Sequence, residues 1–363
     1  YHSPLLYLCS IHDNIFYFSA FQMTYNLDNH TVICDEKELG LQSFRSIVQP
    51  VLYSIIFLLG LTGNGLMITI LLRRRHRLRI TEIYLLHLAV ADLMLLSTFP
   101  FETIDGIANW VFGDFLCMAK GVLENLNLLC GSLLLACIGF DRYLAIVHAI
   151  PSMQSRRPGK VHQVCGVLWF ICLLLSFPNA VFLSVEKLRN SSLDCYYYRF
   201  EIHAHDWVLA NRILHHVCFF FSIVVMSYCY TALVVTLWKS PKRKAKKGAV
   251  RLALLVTLVF CVCWLPYNVA LLIQTLVDLD VMTYNSCGFL TLLSKSSIVT
   301  KTLGLSHCCL NPFLYAFAGA QFRSELVQLL VRMGCSRVFA RGQGQSRPSI
   351  SEGTTTNSTT FMN

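Results

Sequence analysis

The stretch LLACIGFDRYLAIVHAI, residues 134–150, sets Asp141 and Arg142 side by side in a run that is otherwise almost wholly apolar. A charge pair buried in apolar surroundings is expensive, and a fully solvated one contributes little. Such a pair makes physical sense at a border, where apolar packing on one side gives way to water on the other. The rest of the chain decides what kind of border it is.

Of the 363 residues, 55% are hydrophobic and 14% charged, with a mean hydropathy of +0.54. A soluble protein carries about a quarter charged residues, so the solvent that suits this chain is lipid. A membrane helix needs about 20 mostly apolar residues to cross roughly 30 Å of hydrocarbon. Seven segments qualify: residues 47–72, 81–107, 114–147, 160–184, 206–238, 248–277 and 298–318. The expected fold is an all-α membrane protein, a seven-transmembrane helix bundle whose third span ends at Asp141-Arg142. Residues 1–46 form an extracellular N-terminal segment, 47–319 the bundle and 320–334 a short amphipathic eighth helix. Residues 335–363 are a polar, low-complexity cytoplasmic tail with too few apolar groups to fold alone.

Lysine and arginine orient the bundle. RRRHRLR (73–79), SRRPGK (155–160) and KSPKRKAKKGAVR (239–251) follow the first, third and fifth spans. That places the N-terminus outside, the C-terminus inside and the Asp141-Arg142 pair at the cytoplasmic rim. The formal net charge of +10 is therefore mostly a cytoplasmic bias. Basic runs alternating regularly with apolar spans are not the pattern of a nucleic-acid-binding surface.

Most of the 16 cysteines, such as Cys137, Cys165, Cys172, Cys261 and Cys263, lie in apolar spans and read as small buried hydrophobes. Cys34, Cys117, Cys195 and Cys287 fall on the outer side, where disulfides persist. The glycosylation acceptors Asn29 and Asn190 lie on the same side. Residues 1–22 lack the basic region of a signal peptide and read as an extension ahead of a start at Met23.

Seven spans with an outside N-terminus leave three classes of function open: a signalling receptor, a transporter or channel, and an intramembrane enzyme. Polar groups within spans separate them, because each is costly in lipid. The candidates are Asn64, Asp92, Glu124, Asn127, Asp141-Arg142, Lys301 and Asn311. Neither a His–Glu zinc motif nor a pair of catalytic aspartates is present, so no residue is assigned a catalytic role. His307-Cys308-Cys309 are neighbours on one helix and point about 100° apart, which suits packing and gives no structural metal site. Inverted repeats of the transporter kind are not evident. A receptor remains, with polar groups that serve as conformational switches.

These residues carry a resemblance. Gly63-Asn64 in the first span, Leu88-Ala89-Val90-Ala91-Asp92 in the second, Asp141-Arg142-Tyr143 in the third and Trp169 in the fourth are similar to rhodopsin-like (class A) G-protein-coupled receptors. So are Cys263-Trp264-Leu265-Pro266 in the sixth span, Asn311-Pro312-Phe313-Leu314-Tyr315 in the seventh, and Phe322 beyond it. The resemblance covers residues 47–333. Thr98-Phe99-Pro100, Trp110-Val111-Phe112-Gly113, DRYLAIVHA and Ser306-His307-Cys308-Cys309-Leu310-Asn311-Pro312 resemble the chemokine-receptor branch. LLLACI, FAGAQFRSEL and the serine-rich tail resemble its CXC members that guide B cells.

On the outer face the resemblance implies disulfides Cys117–Cys195 and Cys34–Cys287, and a small basic CXC chemokine as ligand. Asp28, Asp35, Glu36, Glu38, Glu102 and Asp105 would supply an acidic rim to steer it, with Trp110 in the first outer loop among the ligand contacts. Sulfation of Tyr25, near Asp28, would strengthen that rim. A glutamate eleven residues before the NPxxY proline often receives the ligand tip in this family; here that position is Lys301, and Glu124 faces it. The expected Glu124–Lys301 ion pair implies a pocket of altered polarity.

In the core, the resemblance brings Asp92, Asn127 and Asn311 together at an allosteric sodium site, with no other cofactor. The serine usual eleven residues before Arg142 is Gly131, which weakens that site. Trp264 and Pro266 form the sixth-span hinge; Tyr230, Pro312 and Tyr315 belong to the inner switch. Ser222 replaces the usual fifth-span proline. The acid that often latches Arg142 from the sixth span is Lys246 here, leaving Asp141 as the obvious partner.

On the inner face, the implied partners are a Gi-type heterotrimeric G protein, receptor kinases and arrestin, together with the lipid bilayer of the plasma membrane. Cys335 is a palmitoylation candidate. Ser349, Ser351, Thr354, Thr355, Thr356, Ser358, Thr359 and Thr360 are candidate phosphorylation sites that would present an acidic strip to arrestin.

Overall fold

The computed structural model describes residues 23–27, 30–34, 44–74, 78–148, 158–187, 193–197, 201–239, 247–279, 281–282, 287–318 and 320–332. Two short strands, β1 (Met23–Leu27) and β2 (His30–Cys34), pair antiparallel with Met23 opposite Cys34. This hairpin has no counterpart in the sequence reading. The expected acids Asp28, Asp35, Glu36 and Glu38, the acceptors Asn29 and Asn190, Lys246, Cys335 and the tail sites lie outside the described residues, as do the side chains of Tyr25, Cys34 and Cys287.

After a π-helical turn (Phe44–Val48), helix α1 (Gln49–Arg73) begins with Pro50 in its first turn, where no amide donor is needed. The second span is two helices, α2 (Ile80–Leu96) and α3 (Phe99–Ala108). Pro100 cannot donate to the turn before it, and Thr98 Oγ1 instead donates to Leu95 O at 2.7 Å. At the start of α2, Glu82 Oε2 accepts the Arg79 amide at 2.7 Å, completing a cap. The remaining spans are α4 (Gly113–Ile146), α5 (Pro158–Ser176) extended by α6 (Pro178–Phe182), α7 (Glu201–Lys239), α8 (Lys247–Asp278) and α9 (Cys287–Ala318). A helix α10 (Ala320–Arg332) follows, at the position expected for the amphipathic eighth helix.

Among the described residues, six of the spans are long and apolar enough to cross a membrane. The seventh, α9, carries Ser294, Lys295, Ser296, Ser297, Thr300 and Lys301 in its first half. Those residues hid its start from the sequence reading, which began it at 298; the helix begins at Cys287. In α7, Ser222 Oγ caps Cys218 O at 2.8 Å within unbroken helix, so the proline bulge of related receptors has no equivalent.

The bundle is inverted relative to a soluble protein. Val217, Phe221, Val224 and Tyr228 of α7 are all more than half exposed, while Asn64, Asp92, Asn127, His307 and Asn311 are buried. Apolar surface on this scale needs lipid around it. Helix α4 is central and packs on α2, α5, α6, α7 and α8. Between α1 and α9 the approach is close: a Cβ on Gly63 would lie 2.8 Å from Pro312, and Asn64 Nδ2 donates to Cys308 O at 2.8 Å. The first- and seventh-span motifs thus meet each other.

Candidate functional site

A cavity of about 270 Å³ opens among α3, α4, α7, α8 and α9. Its cover is a hairpin of β3 (Leu183–Lys187) and β4 (Leu193–Tyr197), which pairs Val185 with Cys195. A disulfide from Cys195 to Cys117 ties the hairpin to α4. Asp114 Oδ1 accepts the Val185 amide at 2.7 Å, a second tether. Chain entropy alone gives such a cross-link several kcal/mol, about 4.5 for a loop of this size.

Four charged side chains alternate along one wall. Lys301 Nζ lies 2.9 Å from Glu124 Oε2, and Lys120 Nζ lies 2.6 Å from Glu102 Oε1. Lys120 and Glu124 are one helical turn apart on α4, so the two pairs adjoin, and Lys301 is also within electrostatic reach of Glu102. At the α7–α8 edge, Arg212 pairs with Asp278 at 2.5 Å. An isolated charge in this setting is costly, and each partner offsets part of that cost.

Glu102 and Trp110, both expected at the rim, are buried. Glu102 lines the cavity, 8% exposed and paired with Lys120. Trp110 is fully buried and packs against Cys117 and Leu183. Its indole N–H donates to Gly113 O at 3.0 Å, and the Lys120 ammonium sits 5.2 Å from its ring centroid. It braces the disulfide corner and Lys120 and does not line this cavity. Asp105 does line the cavity.

Below the cavity, Asp92 gathers donors. Asn127 Nδ2 donates to Oδ1 at 3.1 Å, Asn311 Nδ2 donates to Oδ2 at 2.8 Å, and His307 Nε2 faces Oδ1 at 3.5 Å. A hard cation needs a cage of oxygens, whereas nitrogen-bearing groups surround this carboxylate. Phe260 fills the place of the missing serine: a Cβ on Gly131 would lie 2.9 Å from its ring. As arranged, these residues do not fit a sodium ion. On its other edge His307 Nδ1 lies 3.1 Å from the Trp264 indole nitrogen, which can only donate, with Gly304 O 2.7 Å away competing for the same ring nitrogen. Gly304 leaves room for that indole, since a Cβ there would meet Trp264 at 2.5 Å.

At the end of α4 away from the cavity, Arg142 lies 3.5 Å from Asp141 and donates to Thr81 Oγ1 at the start of α2. Asp141 is thus not its sole partner, which corrects the sequence reading. Tyr143 OH meets Tyr228 OH at 3.3 Å and His148 Nε2 at 2.9 Å. Tyr230 accepts from Thr257 Oγ1 at 3.1 Å and packs on Gly139. Tyr315 is buried. Pro266 and Pro312 lie inside α8 and α9, where each removes a backbone donor.

The sequence reading missed Lys120, His307 and Thr81 as site residues. Lys120 had a signal, because it stands one turn from Glu124 within an apolar span. For Thr81, a hydroxyl at a helix start, there was none.

Comparison with known proteins agrees with this geometry. The 7 transmembrane receptor (rhodopsin family) profile matches residues 63–315. The C-X-C chemokine receptor type 5 of Homo sapiens is 42% identical over 314 residues, covering 85% of this chain and 84% of the relative. The type 5 receptor of Rattus norvegicus is 41% identical, with 91% and 90% covered, and the C-X-C chemokine receptor type 3 of Bos taurus is 41% identical, with 86% and 85% covered. A multi-pass membrane receptor with a covered, charged cavity at one end and the Asp141-Arg142-Tyr143 rim at the other is no enzyme: the chain belongs to the chemokine receptors of the rhodopsin family.

Proposed function

We propose that this receptor binds a basic CXC chemokine at the cell surface and signals through a Gi-type G protein to direct leukocyte migration, of B cells in particular. The observation that carries the reading is the near-full-length similarity to CXC receptors, joined to a cavity under a disulfide-tethered hairpin. The N-terminus faces outside and the tail faces the cytoplasm, as the basic odd-numbered loops favour. Asp28, Asp35, Glu36, Glu38 and sulfated Tyr25 steer the chemokine core, and a Cys34–Cys287 bridge holds that segment near the mouth. The ligand tip enters the cavity and exchanges partners with the Glu124–Lys301 pair. Binding the open-inside state more tightly than the closed one shifts the population towards it. The G protein reads Arg142 from inside and reciprocally strengthens ligand binding. Receptor kinases phosphorylate the tail from Ser349 to Thr360, and arrestin docks on the phosphates. Cys335 carries a palmitoyl anchor.

One observation favours a second reading. A lysine at the family's usual tip-binding position, already paired with Glu124, suits a receptor for a different peptide ligand. A scavenging chemokine receptor is disfavoured by the intact Asp141-Arg142-Tyr143 motif.

The test is a panel of CXC chemokines on cells expressing the chain, with inhibition of cAMP as readout. The expected result is a response to at least one member, abolished by pertussis toxin. Silence across the panel despite surface expression would overturn the assignment.

A further inference from the structure

One cavity residue has no part in the ion pairs, the disulfide corner or the Asp92 centre. His215 projects from α7 between α4 and α8. Its Nδ1 lies 3.1 Å from Asn125 Oδ1 and its Nε2 lies 3.0 Å from Asn268 Oδ1. The far end of each amide fixes which way it faces. Asn125 Nδ2 donates to Leu175 O and Ser176 Oγ, both at 3.3 Å, and Asn268 Nδ2 donates to Trp264 O at 3.0 Å. Turning either amide over would set its oxygen against a backbone carbonyl.

Both ring nitrogens of His215 therefore meet acceptors. A neutral imidazole offers one N–H and an imidazolium offers two. With the ring neutral, one of the two contacts becomes an encounter of lone pairs. Among the described residues the ring's hydrogen bonds are to these two amides alone. The charged and titratable groups that line the same cavity are Arg45, Tyr53, Glu102, Asp105, Lys120, Glu124, Arg212, Tyr267 and Lys301, and the His216 ring lies beside His215 on α7. Arg212 is neutralised by Asp278, and Lys301 by Glu124. Burial opposes a second proton and the two amide oxygens favour it. Histidine is the side chain in which such opposed effects meet near physiological pH.

We propose that His215 is a proton-binding site in the ligand cavity, and that its doubly protonated form clamps α4, α7 and α8 together through Asn125 and Asn268. The clamp bears on the hinge, because Asn268 holds the Trp264 carbonyl one turn below it and Pro266 lies between them. Access of external protons rests on the orientation given under the proposed function. The clamp itself does not depend on which ligand the receptor takes.

Because the ring's proton affinity differs between the folded receptor and the unfolded chain, His215 makes the stability of the folded state depend on pH. The experiment is thermal unfolding of the purified, ligand-free full chain in lipid nanodiscs across the range from weakly acidic to weakly alkaline. The unfolding midpoints of wild type and H215Q are expected to diverge by about 2–4 °C on acidification, since H215Q keeps every other histidine. The N268D variant, which sets a carboxylate against the ring, is expected to move the wild-type transition to higher pH. Parallel profiles for wild type and H215Q would overturn the proposal. If H215Q does not fold, an N268D transition that stays at the wild-type pH overturns it.

Discussion

Arg142 of α4 is held from two sides, by Asp141 beside it at 3.5 Å and by the Thr81 hydroxyl at the start of α2. Arg142 is thereby tied to a neighbouring helix as well as to its own. Releasing it requires both contacts to yield.

Asp141→Asn is therefore expected to raise basal signalling only in part. Thr81→Val should raise it as well, and the double variant should exceed either. A hydrogen bond to a charged group is worth about 1.5–3 kcal/mol, so each single change has an upper limit of roughly 150-fold. Ligand-free G-protein activation in membranes, normalised to surface receptor, measures this. A Thr81→Val receptor with wild-type basal activity would remove Thr81 from the latch.

The nitrogen-rich surroundings of Asp92 predict weak coupling to sodium. Allosteric couplings of about 5–150-fold are usual where a ligand links to a second site. Here, replacing NaCl by choline chloride at constant ionic strength is expected to change agonist potency by less than about twofold. Gly131→Ser should not restore sensitivity, because the new side chain would meet Phe260. A large sodium effect on the wild type would show that the asparagines and His307 rearrange to admit the ion.

Gly304→Ala places a methyl group 2.5 Å from the Trp264 ring. Overpacking of this kind costs about 1–3 kcal/mol and pushes the indole off His307. The unfolding midpoint should fall, and Trp264 fluorescence should shift. An unchanged spectrum and midpoint would mean that the indole has space elsewhere.

Much of this architecture was legible in the sequence. Apolar runs of membrane length marked the spans, and fixed offsets from Arg142 and Pro312 located Glu124 and Lys301. The start of α9 was hidden because its serines and Lys295 dilute the apolar signal. The Glu102–Lys120 pair was missed because a lysine near the end of a span reads as snorkelling to water. Trp110 looked like a rim contact, and only the packed corner of Cys117, Leu183 and Lys120 gives it its buried role. His307 read as a packing residue, since no sequence offset reveals that its two nitrogens face Trp264 and Asp92.

The Glu124–Lys301 pair is where this receptor departs from its family's usual anchor, and its role in reading the ligand tip is the central claim. A double-mutant cycle with Glu124→Gln, Lys301→Met and the combined variant, read as potency of the CXC chemokine that activates the wild type, tests it most directly. The two changes are expected to couple by about 1 kcal/mol or more, within the 0.5–3 kcal/mol range of contacting residues, with each single change lowering potency. Effects that add to within about 0.3–0.5 kcal/mol, or single variants of wild-type potency, would contradict the account.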